Sequence, residues 1–132
     1  MADSFSFELV SPERRLASME AAEVQIPGAD GDLTAMPQHA PLITPLRPGI
    51  LRAAGPGGEK RFVVIGGFAE VTPEAASVLA ERAMPVEEAT GAVFDELLAE
   101  ARKSAEAAPQ EAKDAADKLV ADMQALRGSL GV

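Results

Sequence analysis

The chain has 132 residues, 47% of them hydrophobic, and a net charge of −9 from 21 acidic and 12 basic side chains. That length is one domain, or one domain with an appendage. The shortage of Lys and Arg argues against nucleic acid and against an anionic membrane surface as partners. No cysteine is present, which removes disulfides, thiolate metal sites and a cysteine nucleophile, and fits a reducing compartment.

The start, Met1-Ala2-Asp3-Ser4-Phe5, has no basic region and no apolar stretch of the secretory kind, and is not an Arg-rich transit peptide. No apolar run approaches the roughly 18 residues of a membrane span. A soluble, cytosolic chain is expected. Aromatics are 4% of residues and all are Phe, so Val, Ile, Leu, Met and Ala must build the core.

Up to Pro85 the apolar residues come in short alternating runs broken by Gly and Pro. In Phe5-Ser6-Phe7-Glu8-Leu9-Val10 the apolar side chains share one face, the period of a half-buried strand. Glu23–Ile26 alternates again and ends at Pro27-Gly28. Gly49–Ala53 predicts a strand, Ala54–Glu59 a turn, and Arg61–Ile65 the returning strand. The pair Gly66-Gly67 predicts a bulge, a bend or close backbone approach. Phe68–Val71 and Ser77–Glu81 follow as strands about the turn Thr72-Pro73-Glu74. Many short strands with frequent turns predict a sandwich or barrel.

Between the second and third of these strands lies the most distinctive segment. Gly31–Gly49 holds Pro37, Pro41, Pro45 and Pro48, together with the single histidine, His39. Each proline fixes φ, removes a donor and biases its predecessor to extended geometry. A stiff, extended loop flanked by strands is expected, shaped before any partner arrives. It is either a rigid cross-connection or a contact surface, and Asp32 and His39 favour contact because neither has a role in a β core.

After Pro85 the texture is helical. Val93, Leu97, Ala101, Ala105 and Ala108 follow helical spacing, as do Ala112, Ala116, Leu119, Met123, Leu126 and Leu130. Pro109 separates the runs and suits the first turn of a second helix. An antiparallel hairpin over 86–132 is expected beside a β domain over 1–85. Its Ala-rich seam buries little area at roughly 0.8 kcal/mol per methylene. The hairpin should therefore be less stable than the β domain and able to detach from it.

Catalytic chemistry is hard to assemble. His39 stands alone, no serine sits in an elbow motif, and the carboxylates are numerous enough to be ordinary surface solvation. One imidazole without clustered ligands does not make a metal site. Gly55-Pro56-Gly57-Gly58-Glu59-Lys60 imitates a phosphate loop, but Arg61 stands where Ser or Thr is needed, so a hairpin turn is expected instead. No catalytic residue, cofactor or metal is assigned.

Two motifs carry a resemblance. One is Gly31-Asp32-Leu33 leading into Pro37-Gln38-His39-Ala40-Pro41-Leu42-Ile43-Thr44 and Leu46-Arg47-Pro48-Gly49. The other is Val64–Val71 followed by Val78-Leu79-Ala80. With the order β-rich part then two helices, the chain resembles, over nearly its whole length, the epsilon subunits of bacterial F-type ATP synthases. The resemblance implies a flattened sandwich of about ten strands followed by an α-helical hairpin. It implies a non-catalytic rotor subunit that fastens the gamma subunit to the c-ring and couples proton flow to ATP synthesis. Contact with the alpha and beta subunits would be transient, with no direct membrane insertion. The setting would be the cytoplasmic face of the bacterial inner membrane, as a peripheral part of the complex.

By the same resemblance, Asp32 and His39 contact the c-ring. The hairpin, with Leu97, Arg102, Lys103, Lys113, Leu119, Met123 and Leu126, is regulatory: folded it permits hydrolysis, and extended along gamma it can jam the catalytic subunits. Two departures stand out. Where some members bind ATP through Ile/Leu-Asp-X-X-Arg-Ala, this chain reads Val86-Glu87-Glu88-Ala89-Thr90-Gly91. Thr90 in place of arginine removes the phosphate partner and predicts weak or absent ATP binding. From Val86 onward ten acids face five bases, so docking on an acidic beta segment is opposed and weak inhibition is expected. The alternative is a nucleotide-sensing regulator whose main task is inhibition. A free-standing β-sandwich enzyme or ligand module is disfavoured.

Overall fold

The computed structural model describes residues 4–132. Eight strands are followed by two α-helices: β1 Phe5–Val10, β2 Arg15–Ala21, β3 Glu23–Gly28, β4 Gly31–Ala35, β5 Leu42–Pro45, β6 Gly49–Gly55, β7 Gly58–Val71, β8 Ala75–Pro85, α1 Gly91–Ala107 and α2 Lys113–Leu130. Two compact units result, the first ending at Val86 and the second running Glu87–Val132.

Hydrogen bonding runs in the order β2-β1-β8-β7-β6-β3-β4, with β5 attached separately to β7. The first half of β7 pairs with β6 through Val64, and the second half pairs with β5 from Phe68 on. β8 follows β7 along its whole length. One layer therefore holds β4, β3, β6, the first half of β7 and the last residues of β8, from Arg82 on. The other holds β5, the second half of β7, β8 up to Ala80, β1 and β2.

The crossing point is Gly66-Gly67, with φ of +74° and +97°. On its near side Phe62 and Val64 point into the core; beyond it Ala69 and Val71 do. The inward set thus changes from even to odd numbers, which a strand without an irregularity cannot do. This explains the strand count. The sequence marks breaks at the glycines, so 61–65 and 68–71 read as separate strands. In the structure they are one 14-residue strand, partnered by an 11-residue β8 rather than a short 77–81. Halving β7 and β8 at the layer crossing turns eight continuous strands into ten.

The segment 31–49 is corrected as well. It is not one long loop, since it contains β4 and β5 about a short connection, 36–41. Both strands lie at edges, β4 ending the order and β5 pairing only with β7. Edges are where a proline's missing donor costs no ladder bond. The core joins the two layers through Phe7, Leu9, Val24, Ile26, Leu51, Val64, Val71 and Val78, all nearly inaccessible.

In the second unit, Leu97, Ala101 and Ala105 are buried on α1, with Met123 and Leu126 on α2. Leu119 is half-buried. Phe94 and Leu98 are buried too, so the apolar arc of α1 is wider than the single stripe read from the sequence. Among the described residues no helix is long and apolar enough to cross a membrane.

Candidate functional site

The segment Asp32–Arg47 runs out along edge strand β4 and comes back along edge strand β5 to its starting point. At its base, β3 and β4 form a hairpin with Pro27 opposite Asp32 and Gly28 opposite Gly31. Leu46 comes back to bridge Gly28. Ala29 N–H donates to Pro45 O at 2.9 Å, and Arg47 N–H donates to Pro27 O at 3.0 Å. The Arg47 guanidinium completes the closure. Its Nη1 donates to Gly28 O at 2.6 Å, and its Nη2 donates to Asp32 Oδ1 at 2.5 Å.

At the far end, Met36-Pro37-Gln38-His39 is a turn in which His39 N–H donates to Met36 O at 3.1 Å. Proline second and a positive φ third make the type II arrangement. The third residue is Gln38, at φ 69°, the one non-glycine among the described residues with positive φ. Gln38 N–H donates to Pro73 O at 2.8 Å, tying this turn to the β7–β8 turn. His39 Nδ1 lies 2.6 Å from Ala40 O. A carbonyl only accepts, so Nδ1 is the donor in this contact.

Asp32 and His39 are therefore not neighbours. The four-residue rise from Asp32 to Met36 alone spans about 13 Å at the usual strand rise. They mark the base and the tip of one tied-down segment, and a partner touching both must cover that distance.

A second feature was not legible as a site. Across the outward face of the second layer, Pro45 stands opposite Phe68, Phe68 opposite Leu79, and Leu79 opposite Val10. Phe68 is 46% exposed, Leu79 49%, and Ile43, two residues before Pro45, 65%. Large apolar side chains in one cross-strand row are an interface signature rather than scattered surface residues. The signal was present in the alternation of Phe68–Val71, but the outward face could be assigned only with the register.

The family described as ATP synthase, Delta/Epsilon chain, beta-sandwich domain matches residues 4–86. Over 131 residues the chain is 59% identical to an ATP synthase epsilon chain of Cereibacter sphaeroides, covering 99% of both. It is 52% identical to that of Paracoccus denitrificans, covering 100% of this chain and 94% of the other. The chain belongs to the ATP synthase epsilon family. The fold is also that of a chain in the Euglena gracilis mitochondrial ATP synthase (OSCP/F1/c-ring), with TM-score 0.73 and 22% identity over 98% of this chain and 83% of that one.

The helical unit places the remaining residues. Glu87 is exposed in the short 3-10 turn Val86–Glu88. Thr90 is the N-cap of α1, its Oγ1 accepting from Val93 N–H at 3.3 Å. Arg102 and Lys103 are exposed on α1. Lys113 reaches back across the turn and donates from Nζ to Ala105 O at 2.7 Å and Glu106 O at 3.3 Å, where α1 has no basic residue of its own. At the other end, Arg127 Nη1 pairs with Asp95 Oδ1 at 2.7 Å, and Arg127 Nε donates to Val132 O at 3.0 Å. Among the described residues no three His, Asp or Glu side chains are grouped to hold a metal ion.

Proposed function

We propose that this chain is a non-catalytic rotor subunit that fastens the gamma subunit to the c-ring and so couples proton flow to ATP synthesis. The observation that supports this best is the segment Asp32–Arg47, exposed yet tied at its base by Arg47 and at its tip by Gln38. A preformed surface loses little entropy on docking. In this reading Asp32 and His39 meet the c-ring, and the row Pro45, Phe68 and Leu79, flanked by Ile43, meets gamma. The complex would lie on the cytoplasmic face of the bacterial inner membrane.

The hairpin is read as a weak brake on hydrolysis, contacting alpha and beta subunits transiently. Thr90 serves as a helix cap and not as a phosphate ligand, and the ten acids of this unit oppose docking on an acidic surface. Both points disfavour the alternative of a nucleotide-sensing inhibitor.

The test uses membranes carrying the cognate complex stripped of this subunit. Full-length chain and a form ending at Pro85 are titrated in, while ATP hydrolysis and ATP-driven proton pumping are followed together. Both forms are expected to restore pumping, and full-length chain to slow hydrolysis little more than the short form. Failure of both to restore pumping removes the coupling role. A brake seen only with the full chain makes the hairpin an active inhibitor.

A further inference from the structure

We infer that Arg47 is a positioning residue for the rotor contact. It holds the Asp32 carboxylate in its docking orientation and neutralises it, so that the partner is recognised by hydrogen bonding rather than by net charge. This rests on the reading that Asp32 contacts the c-ring.

Asp32 is 75% exposed and Arg47 33%. An ion pair that open to water contributes little to folding, because both charges remain solvated and salt screens them. Its consequence is geometric. Arg47 is anchored from below by its own N–H on Pro27 O and by Nη1 on Gly28 O, both on β3. Its second amino group then projects across the hairpin to Asp32 on β4. Oδ1 is occupied by one arm of a planar fork whose other arm is held by Gly28 O, while Oδ2 has no partner among the described residues. An exposed carboxylate would otherwise sample its rotamers freely; here one oxygen is fixed and the other is presented outward. Lysine cannot reproduce this, since a single ammonium lacks the fork that bridges two acceptors in one plane.

Neutralisation has a separate consequence. A bare aspartate would draw a cationic partner over a Debye length and bind with steep salt dependence. A carboxylate already paired recruits a donor only at contact. The chemistry expected on the c-ring is therefore a short-range hydrogen-bond donor such as an amide or backbone N–H.

The experiment titrates full-length Asp32→Asn, Arg47→Lys, Arg47→Met and the double variant D32N/R47M into the stripped membranes. The readout is the half-saturating concentration for restored proton pumping at low and high ionic strength. D32N and R47M are each expected to raise it roughly tenfold, about 1.4 kcal/mol, with the double variant no worse than either. R47K is expected to lose affinity too, and the unaltered chain and R47M alike to keep a shallow salt dependence, since a neutral donor offers no charge attraction to screen; a steep dependence in the unaltered chain overturns the neutralisation. If D32N costs affinity while R47M and R47K do not, or if the double variant shows the product of the two losses, the positioning role is overturned and the contact reading stands. If D32N is harmless, both fall. Melting curves accompany each variant, and R47K, which keeps the cation, decides the matter should R47M fail to fold.

Discussion

Gly67 on β7 lies directly against the carbonyl oxygen of Leu79 on β8, so close that a Cβ on residue 67 would overlap it. Its φ of +97° is also one that an L side chain rarely adopts. The two constraints have one origin, because this is where β7 passes from one layer to the other. Gly67→Ala is expected to cost about 3–5 kcal/mol, at the severe end for a point change. Gly58→Ala is the control. Gly58 has φ +110° but nothing near its would-be Cβ, so only backbone strain of about 1–2 kcal/mol applies. Urea denaturation of both variants separates steric overlap from strain; equal losses would mean that the layer crossing can relax.

Gln38 presents the opposite case, a side chain where glycine fits better. Its φ of 69° carries an αL penalty, offset in part by glycine's greater loss of chain entropy on folding. Gln38→Gly is expected to stabilise the β unit by about 0.5–1 kcal/mol, and Gln38→Val to destabilise it. Thermal melts of the two variants check the sign. A loss of stability in the glycine variant would show that the Gln38 side chain repays the strain of its backbone.

What was legible in the sequence follows from where the cause is local. The alternation of Phe5–Val10 names its own face, and the helical spacing after Pro85 with Pro109 between the runs gives the hairpin. Strand β2 left no such mark. Its two buried residues are Ala17 and Ala21, too small to announce a face, and its partner is set by pairing with β1. The unity of β7 was hidden because glycines that bend a strand look like glycines that end one. The edge strands β4 and β5 were hidden because proline density reads as loop unless the sheet order is known. Asp32 and His39 stood out as side chains without a role in a β core, and the motif that carries the family resemblance gave them their expected partner. Arg47 sits in the same motif, but its bond to Asp32 closes a gap of 15 residues that only the return of Leu46 to Gly28 creates.

Thr90 separates two readings of the helical unit. Its Oγ1 satisfies an otherwise free N–H in the first turn of α1. Thr90→Ala is expected to cost that helix about 1 kcal/mol, seen as faster amide exchange over 91–107. Calorimetry of the unaltered chain with MgATP is expected to show no saturable heat. A saturating isotherm would show that nucleotide is held without the arginine and would revive the sensor alternative.

Lys113 supplies the cation that the C-terminus of α1 lacks, across the turn rather than from within the helix. Lys113→Met is expected to cost about 0.3–1 kcal/mol, and less as salt is raised, because a charge at a helix end is screened. Combining it with Arg127→Met, which removes the pair with Asp95 at the other end of the hairpin, should give nearly additive losses, since the sites share no partner. Amide exchange in the full chain should then show 91–130 opening well before the β strands. Uniform exchange in both units would mean that the hairpin is not the weaker one.

The exposed row on the second layer gives the sharpest test of partner choice. Phe68 is flanked on its own face by Pro45 and Leu79, so a charge placed there lies amid apolar surface without entering the core. Phe68→Glu should leave the melting temperature nearly unchanged, as outward substitutions do. In a gamma-binding interface it would bury an unpaired carboxylate, a penalty of several kcal/mol. Pull-down or light scattering with purified gamma is therefore expected to show affinity falling by at least a hundredfold, about 2.7 kcal/mol. His39→Ala, at the tip of the other surface, should leave gamma binding intact while weakening restoration of pumping in membranes. If Phe68→Glu binds gamma normally, the apolar row faces another subunit, and the assignment of the two surfaces must be exchanged.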